Sequence, residues 1–222
     1  MGLKRGWTSV LGGAAAALRK SVLDRIAALG DGRHGPWTHK SLVEDFELTY
    51  RIHSLGYSCR ISPEVRAYTD SMKTLRSLWG QRMKWQVGTA AELLKVGINR
   101  VSLLQWFSQV QGFLIVIIRL IWLYLLVIGI FSGHLSFDLW WLWIFVPVII
   151  TANELKHAMR IPHRDRWDLI LVATIMPLEL FSWLRMAWFA AGWWKAVTSR
   201  ITGRSKDWWG MQYQAERGGE KS

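Results

Sequence analysis

Apolar positions divide the chain near Gly112, with mixed polar and apolar segments before it and long apolar runs after it. Phe113–Phe131 is 19 residues carrying one charge, Arg119. At about 1.5 Å per residue it nearly covers the ~30 Å hydrocarbon core of a bilayer, which predicts a transmembrane helix. Leu135–Ala152 is of similar length, opens on an aromatic cluster as interfacial segments do, and follows the short turn Ser132-Gly133-His134. The two runs together predict a helical hairpin. A third run, Trp167–Trp194, is too long for one span at 28 residues and is interrupted by Pro177, Glu179 and Arg185. It reads either as one tilted, kinked helix or as a re-entrant pair.

Before Gly112 the periodicity changes. Glu44–Leu55 repeats apolar residues at Phe46, Leu48, Ile52 and Leu55, close to helical spacing, and Gly56 stands where a C-terminal cap belongs. Tyr57–Ile61 alternates and stops before Pro63, as a short strand would. Helix followed by strand predicts the end of an α/β unit. Thr74–Val96 predicts an amphipathic helix, broken or kinked near Gly88. Trp79, Trp85, Trp106 and Phe107 on a basic background suit this region to the membrane surface. The expected organisation is therefore a partial α/β domain over 1–72, amphipathic interface helices over 73–112, membrane helices over 113–194 and a basic tail over 195–222.

The 222 residues are 51% apolar and include 16 Trp, which excludes disorder. A net charge of +12 raises nucleic acid or an anionic membrane surface as partner, and the apolar runs decide for the membrane and against nucleic acid. Residues 1–112 hold 16 Lys and Arg, 153–166 hold four and the tail from Lys195 holds six. The positive-inside rule then places the first two regions in the cytoplasm, and both ends of the third run there as well. No signal peptide is read at the N-terminus, consistent with a cytoplasmic start. One cysteine, Cys59, excludes a disulfide framework, and six histidines without a pair at helical ligand spacing exclude a helical metal site.

Two clusters could carry chemistry. Glu44-Asp45 follows the Gly/Pro/His-rich loop Gly30–Lys40 and opens a helix, a position from which carboxylates are presented to substrates. The alternative is an acid that only stabilises the first turn through the helix dipole. Later, Gln81 and Trp85 share one helical face, with Arg82 and Lys84 beside them. Gln and cations bind phosphate oxygens while Trp stacks on a sugar ring, although the same residues would serve an interfacial helix whose cations reach for headgroups. Glu154, Glu179 and Arg185 at membrane borders could mark a transport path, but capping and snorkelling are the preferred reading.

The order VEDFELTYRIHSLGY (43–57), ISPEVRAYT (61–69) and LWGQRMKWQVG (78–88) resembles the C-terminal half of the catalytic domain of membrane-bound family 2 glycosyltransferases, the cellulose-synthase and hyaluronan-synthase-like enzymes. The resemblance runs closely over residues 10–90 or so and more loosely beyond. It implies a fold class of α/β plus membrane α-helices: half of a GT-A-like nucleotide-sugar-transferase domain, then interface helices and a transmembrane hairpin in the inner membrane, with the N-terminal part cytoplasmic. It also implies site residues. Asp45 matches the catalytic base, and Glu44 beside it an acceptor-binding position. Gln81, Arg82 and Lys84 match the diphosphate-binding positions, and Trp85 the acceptor platform. Gly13, in Gly12-Gly13-Ala14, falls where small residues line the acceptor cleft.

Departures accompany the match. Val43 stands where the family has Thr, and Lys84 where it has Arg, losing a bidentate fork that the adjacent Arg82 could replace. No two Asp residues are spaced i, i+2, so the family's Asp-x-Asp metal site is missing. The resemblance thus implies a nucleotide-sugar donor, a glycan or lipid-linked acceptor, and a divalent cation, Mg or Mn, whose ligands are not in this chain. It further implies a separate N-terminal donor-binding half. The alternative is a non-catalytic membrane remnant or interaction module of a split transferase.

Overall fold

The computed structural model describes residues 8–12, 15–30, 35–38, 41–61, 67, 69, 72–132, 140–160 and 165–203. Among the described residues seven helices follow in order: α1 (Lys20–Ala27), α2 (Glu44–Ser54), α3 (Leu75–Val96), α4 (Leu103–Ser132), α5 (Trp140–Ala158), α6 (Arg166–Ala173) and α7 (Ile175–Thr202). They belong to two compact units, one comprising 1–111 with 188–222 and the other 112–187. The expected strand at Tyr57–Ile61 is reduced to a single bridge residue, Arg60, with Thr8 N donating to Cys59 O at 3.1 Å. A strand is stable only as part of a ladder, and among the described residues no further partner extends this one.

In the first unit α2 is the central element. Glu44, Asp45 and Glu47 occupy its first turn and Arg51 and His53 its last, the arrangement the helix dipole favours. Gly56, with φ +82°, ends it as the sequence predicts. Two faces of α2 are buried. Leu48 and Ile52 pack with Val22 and Ile26 of α1 and with Cys59, while Phe46 joins Val43 and Leu93 of α3. Each such side chain contributes about 1.5–3 kcal/mol when fully buried. The fully buried Thr49 adds a polar tie, accepting from Leu11 N at 2.9 Å and donating to Asp45 O at 2.6 Å. The backbone of Asp45 is thereby fixed from the following turn.

Helix α3 begins at a capping box between Thr74 and Ser77 and runs 22 residues to Gly97, whose φ of +67° ends it. The helix runs unbroken through Gly88, where a break or kink is expected, and that glycine serves a close approach. A Cβ there would lie 2.8 Å from Val43 Cγ1 and 2.9 Å from Leu42 Cβ. The C-terminal part of α7 and the first turns of α4 complete this unit. Gln109 Oε1 accepts from Gln86 Nε2 at 3.2 Å and from Trp193 Nε1 at 2.9 Å, and Arg200 donates to Leu94 O at 2.8 Å. Trp79 meets Trp188 edge-on at 6.4 Å, and Trp106 meets Trp193 at 5.9 Å. Two of the four aromatics expected to face the membrane are thus interhelical contacts, whereas Trp85 and Phe107 are exposed.

In the second unit the apolar stretch of α4 makes this helix, Leu103–Ser132, long and apolar enough to cross a membrane, and its most apolar window has no buried residue. Residues 133–139, the expected hairpin turn and the start of the second run, lie outside the described residues, and α5 is described from Trp140. The third run is two helices rather than one, divided at Thr174. Pro177 falls in the first turn of α7, where a missing N–H breaks no helical bond. Arg119 is not a lone charge, and Glu179 is neither a cap nor a snorkelling group. Arg119 Nη1 lies 3.0 Å from Glu179 Oε2, Nη2 donates to Ser182 Oγ at 2.8 Å, and the guanidinium stands 5.4 Å from the Trp183 ring centroid. An apolar medium leaves a charge no alternative to such a partner.

Candidate active site

The segment Ser41–Val43 delivers the carboxylates. Val43 precedes α2 without offering a side-chain cap, as the sequence implies for a residue standing where a hydroxyl would be useful. Val43 N instead donates to the buried Ser41 Oγ at 3.2 Å. One turn of α3 from Gly88 is Lys84, only 6% exposed. Close apposition of α3 and the Leu42–Val43 backbone therefore brings Lys84 into the field of Asp45.

Asp45 has a carboxyl pKa raised above the ordinary value, chiefly because burial penalises its charged form. Its Oδ1 accepts from Phe46 N at 2.7 Å, which works in the opposite direction. Repulsion from Glu44 raises it further and attraction to Lys84 lowers it. An acid that only caps a helix is exposed and held below its ordinary range by the N-terminal dipole. In Asp45 desolvation prevails over that stabilisation, which makes the carboxylate a better proton acceptor.

The other expected residues are placed unevenly. Arg82 stacks on the exposed Trp85 ring, its guanidinium 4.7 Å from the centroid. Trp85 itself is 44% exposed. Gln81 is partly buried and its side chain makes no hydrogen bond among the described residues. Gly13 lies outside the described residues. The structure thus gathers Glu44, Asp45 and Lys84, and separately pairs Arg82 with Trp85. Sequence reasoning missed the part played by Gly88 in setting this geometry: glycine inside a strong helical pattern also marks close approach. Among the described residues, no group of three or more His, Cys, Asp or Glu side chains is placed to hold a metal ion.

Comparison with known proteins adds what geometry alone does not. The family model of glycosyl transferase family group 2 matches residues 1–153, more than half of the chain. The chain belongs to glycosyl transferase family group 2. A curated relative, a probable glycosyltransferase named YdaM from Bacillus subtilis (strain 168), is 33% identical over 79 residues, 36% of this chain. The match covers only 17% of that protein's length. No solved structure matches. Membership of family group 2 implies a GT-A-like fold.

Proposed function

We propose that this family group 2 chain forms the acceptor side of a membrane-bound transferase of the cellulose-synthase and hyaluronan-synthase-like kind. It would move a sugar from a nucleotide-sugar donor to a glycan or lipid-linked acceptor with inversion. Asp45 is the general base. As the acceptor hydroxyl oxygen attacks the anomeric carbon, its proton passes to Asp45 Oδ, and the bond to the nucleoside diphosphate breaks. Lys84, with Gln81 and Arg82, meets the departing diphosphate, and Trp85 supports the acceptor ring. The observation that supports this reading is the half-buried carboxylate of Asp45, its pKa raised chiefly by desolvation, in the electrostatic field of the buried Lys84.

The donor is held by a half that these 222 residues do not include, since the sequence has no Asp-x-Asp. The same absence is the observation favouring the second reading, a non-catalytic remnant that keeps the fold as an interaction module. Measuring nucleoside diphosphate release separates the two. The chain alone in detergent should release none from a nucleotide sugar, and co-expression with a donor-binding half should produce release that depends on both chains. No release from any such pairing would leave the non-catalytic reading.

A further inference from the structure

A cavity of about 220 Å³ lies on the face of α2 that carries Phe46, Tyr50 and His53, and is closed on another side by Arg100, Val101, Ser102, Leu104 and Gln105, with Ser9 at its edge. No carboxylate lines it. Ser9, Tyr50, Arg100 and Gln105 bring polar side chains to it, Phe46, Val101 and Leu104 are apolar, and the His53 ring and the Ser102 hydroxyl are already engaged. Arg100, Gln105 and Ser9 make no side-chain hydrogen bond among the described residues. Tyr50 Oη accepts from Asn99 Nδ2 at 3.1 Å, which leaves its own proton to give.

The wall bearing Arg100 is built and not a loose loop. Asn99 Oδ1 accepts from Val101 N and Ser102 N, both at 3.0 Å, Ser102 Oγ donates to Gly97 O at 2.7 Å, and Trp106 Nε1 donates to the same carbonyl at 3.0 Å. A cavity offering a guanidinium, a phenol, an amide and a hydroxyl, and no acid, suits an oxyanion with several acceptor oxygens. The location says which kind. Leu104 and Gln105, which line the cavity, stand in the first turn of α4, the helix long and apolar enough to cross a membrane. Its first residues, Leu103 and Leu104, are exposed, as is Phe107 one turn on. The cavity borders the first turn of the membrane-competent helix, with apolar surface beside it for an acyl chain.

We infer that this cavity binds a phosphate group, supplied by an anionic phospholipid headgroup. The site is separate from Asp45 and does not depend on the transferase reading; it depends on α4 crossing the membrane. The test uses the full chain in a non-ionic detergent, with short-chain phosphatidylglycerol, short-chain phosphatidylcholine and inorganic phosphate as probes, read by thermal shift and native mass spectrometry. Phosphatidylglycerol should bind saturably and at least about tenfold more tightly than phosphatidylcholine, because only the former adds net charge for Arg100. Arg100→Gln should lose about tenfold of that binding and Tyr50→Phe a few-fold, while Lys95→Gln, a nearby exposed cation outside the cavity, should leave it intact. Inorganic phosphate that binds without any preference among lipids would overturn the headgroup assignment in favour of a soluble phosphate compound. Equal binding of both lipids, or loss with Lys95→Gln as large as with Arg100→Gln, would show only diffuse attraction to charge and overturn the site. Should Arg100→Gln fail to fold, Tyr50→Phe, which keeps the ring, decides on its own.

Discussion

Replacing Gly88 by alanine tests whether the contact between α3 and the Leu42–Val43 backbone sets the position of Asp45. The added Cβ would stand 2.8 Å from Val43 Cγ1, 3.1 Å from Val43 Cγ2 and 2.9 Å from Leu42 Cβ. Carbon pairs prefer about 3.5–4.0 Å, so one side must withdraw by roughly 0.7 Å or more. Neither neighbour can swing aside easily, since a valine is stiff at its first torsion and a Cβ moves only with its backbone. Overpacking of this kind costs about 1–3 kcal/mol, against which alanine returns about 1 kcal/mol of helix propensity. The net is about 0–2 kcal/mol of destabilisation. The effect on rate should be larger, because Glu44 and Asp45 follow Val43 directly and a ~1 Å misplacement of a catalytic group costs about 10²-fold. Gly80, on the same helix with nothing near its missing Cβ, is the control: Gly80→Ala should raise stability by up to about 1 kcal/mol and leave the rate alone. Thermal melts and nucleoside diphosphate release by the assembled enzyme give both numbers. A Gly88→Ala variant that turns over like the parent would refute the positioning argument, whatever its stability.

Three further outcomes follow from the same geometry. Trp85→Ala should remove most transfer while membrane insertion and the melting profile persist, since the ring is exposed and stacked only by Arg82; retained activity in the release assay would return Trp85 to a structural part. Arg119→Leu or Glu179→Gln alone should each lower thermal stability in detergent, by about 0.6–2 kcal/mol as for polar contacts between membrane helices, and the double variant should lose less than the sum, as a double-mutant cycle of melting curves would show. Turnover should rise with pH along a limb shifted upward from that of an ordinary aspartate, because the base must be ionised and burial raises its pKa; Lys84→Met removes a lowering influence and should move that limb to higher pH, as read from the rate profile of the residual activity.

The helical part of the fold was legible because its signals are local. The spacing of Phe46, Leu48, Ile52 and Leu55 with Gly56 defined α2 almost to the residue, and the length of the apolar run at Phe113–Phe131 identified the membrane-competent part of α4. The misreadings share one cause, which is that their meaning depends on distant partners. Gly88 has the local look of a helix breaker, and only its distance to Val43 shows a packing residue. Trp79 and Trp106 fit an interfacial belt equally well until Trp188 and Trp193, about 90–110 positions away, are seen beside them. Arg119 and Glu179, 60 residues apart, carry no mutual signal in the sequence. For the site, the order of motifs named Asp45, Lys84 and Trp85, whereas the desolvation that distinguishes Asp45 from an ordinary first-turn acid needed the packed structure.

The central claim, that Asp45 takes the acceptor's proton, is tested most directly by the turnover and stability of Asp45→Asn beside Glu44→Gln. Asparagine keeps the size and can still accept from Phe46 N, but it cannot take a proton, so the rate of nucleoside diphosphate release in the assembled enzyme should fall about 10²–10⁴-fold. Because the folded pKa lies above the unfolded one, the folded chain holds the proton more tightly; the resulting stability is present below the unfolded pKa and is lost as pH rises through the folded value. Near neutral pH the Asn variant should therefore melt no lower than the parent, which separates loss of chemistry from loss of fold. Glu44→Gln, the neighbour whose charge only raises the Asp45 pKa, should retain most of the rate. A fully folded Asp45→Asn enzyme that turns over normally, or a loss confined to Glu44→Gln, would contradict the account.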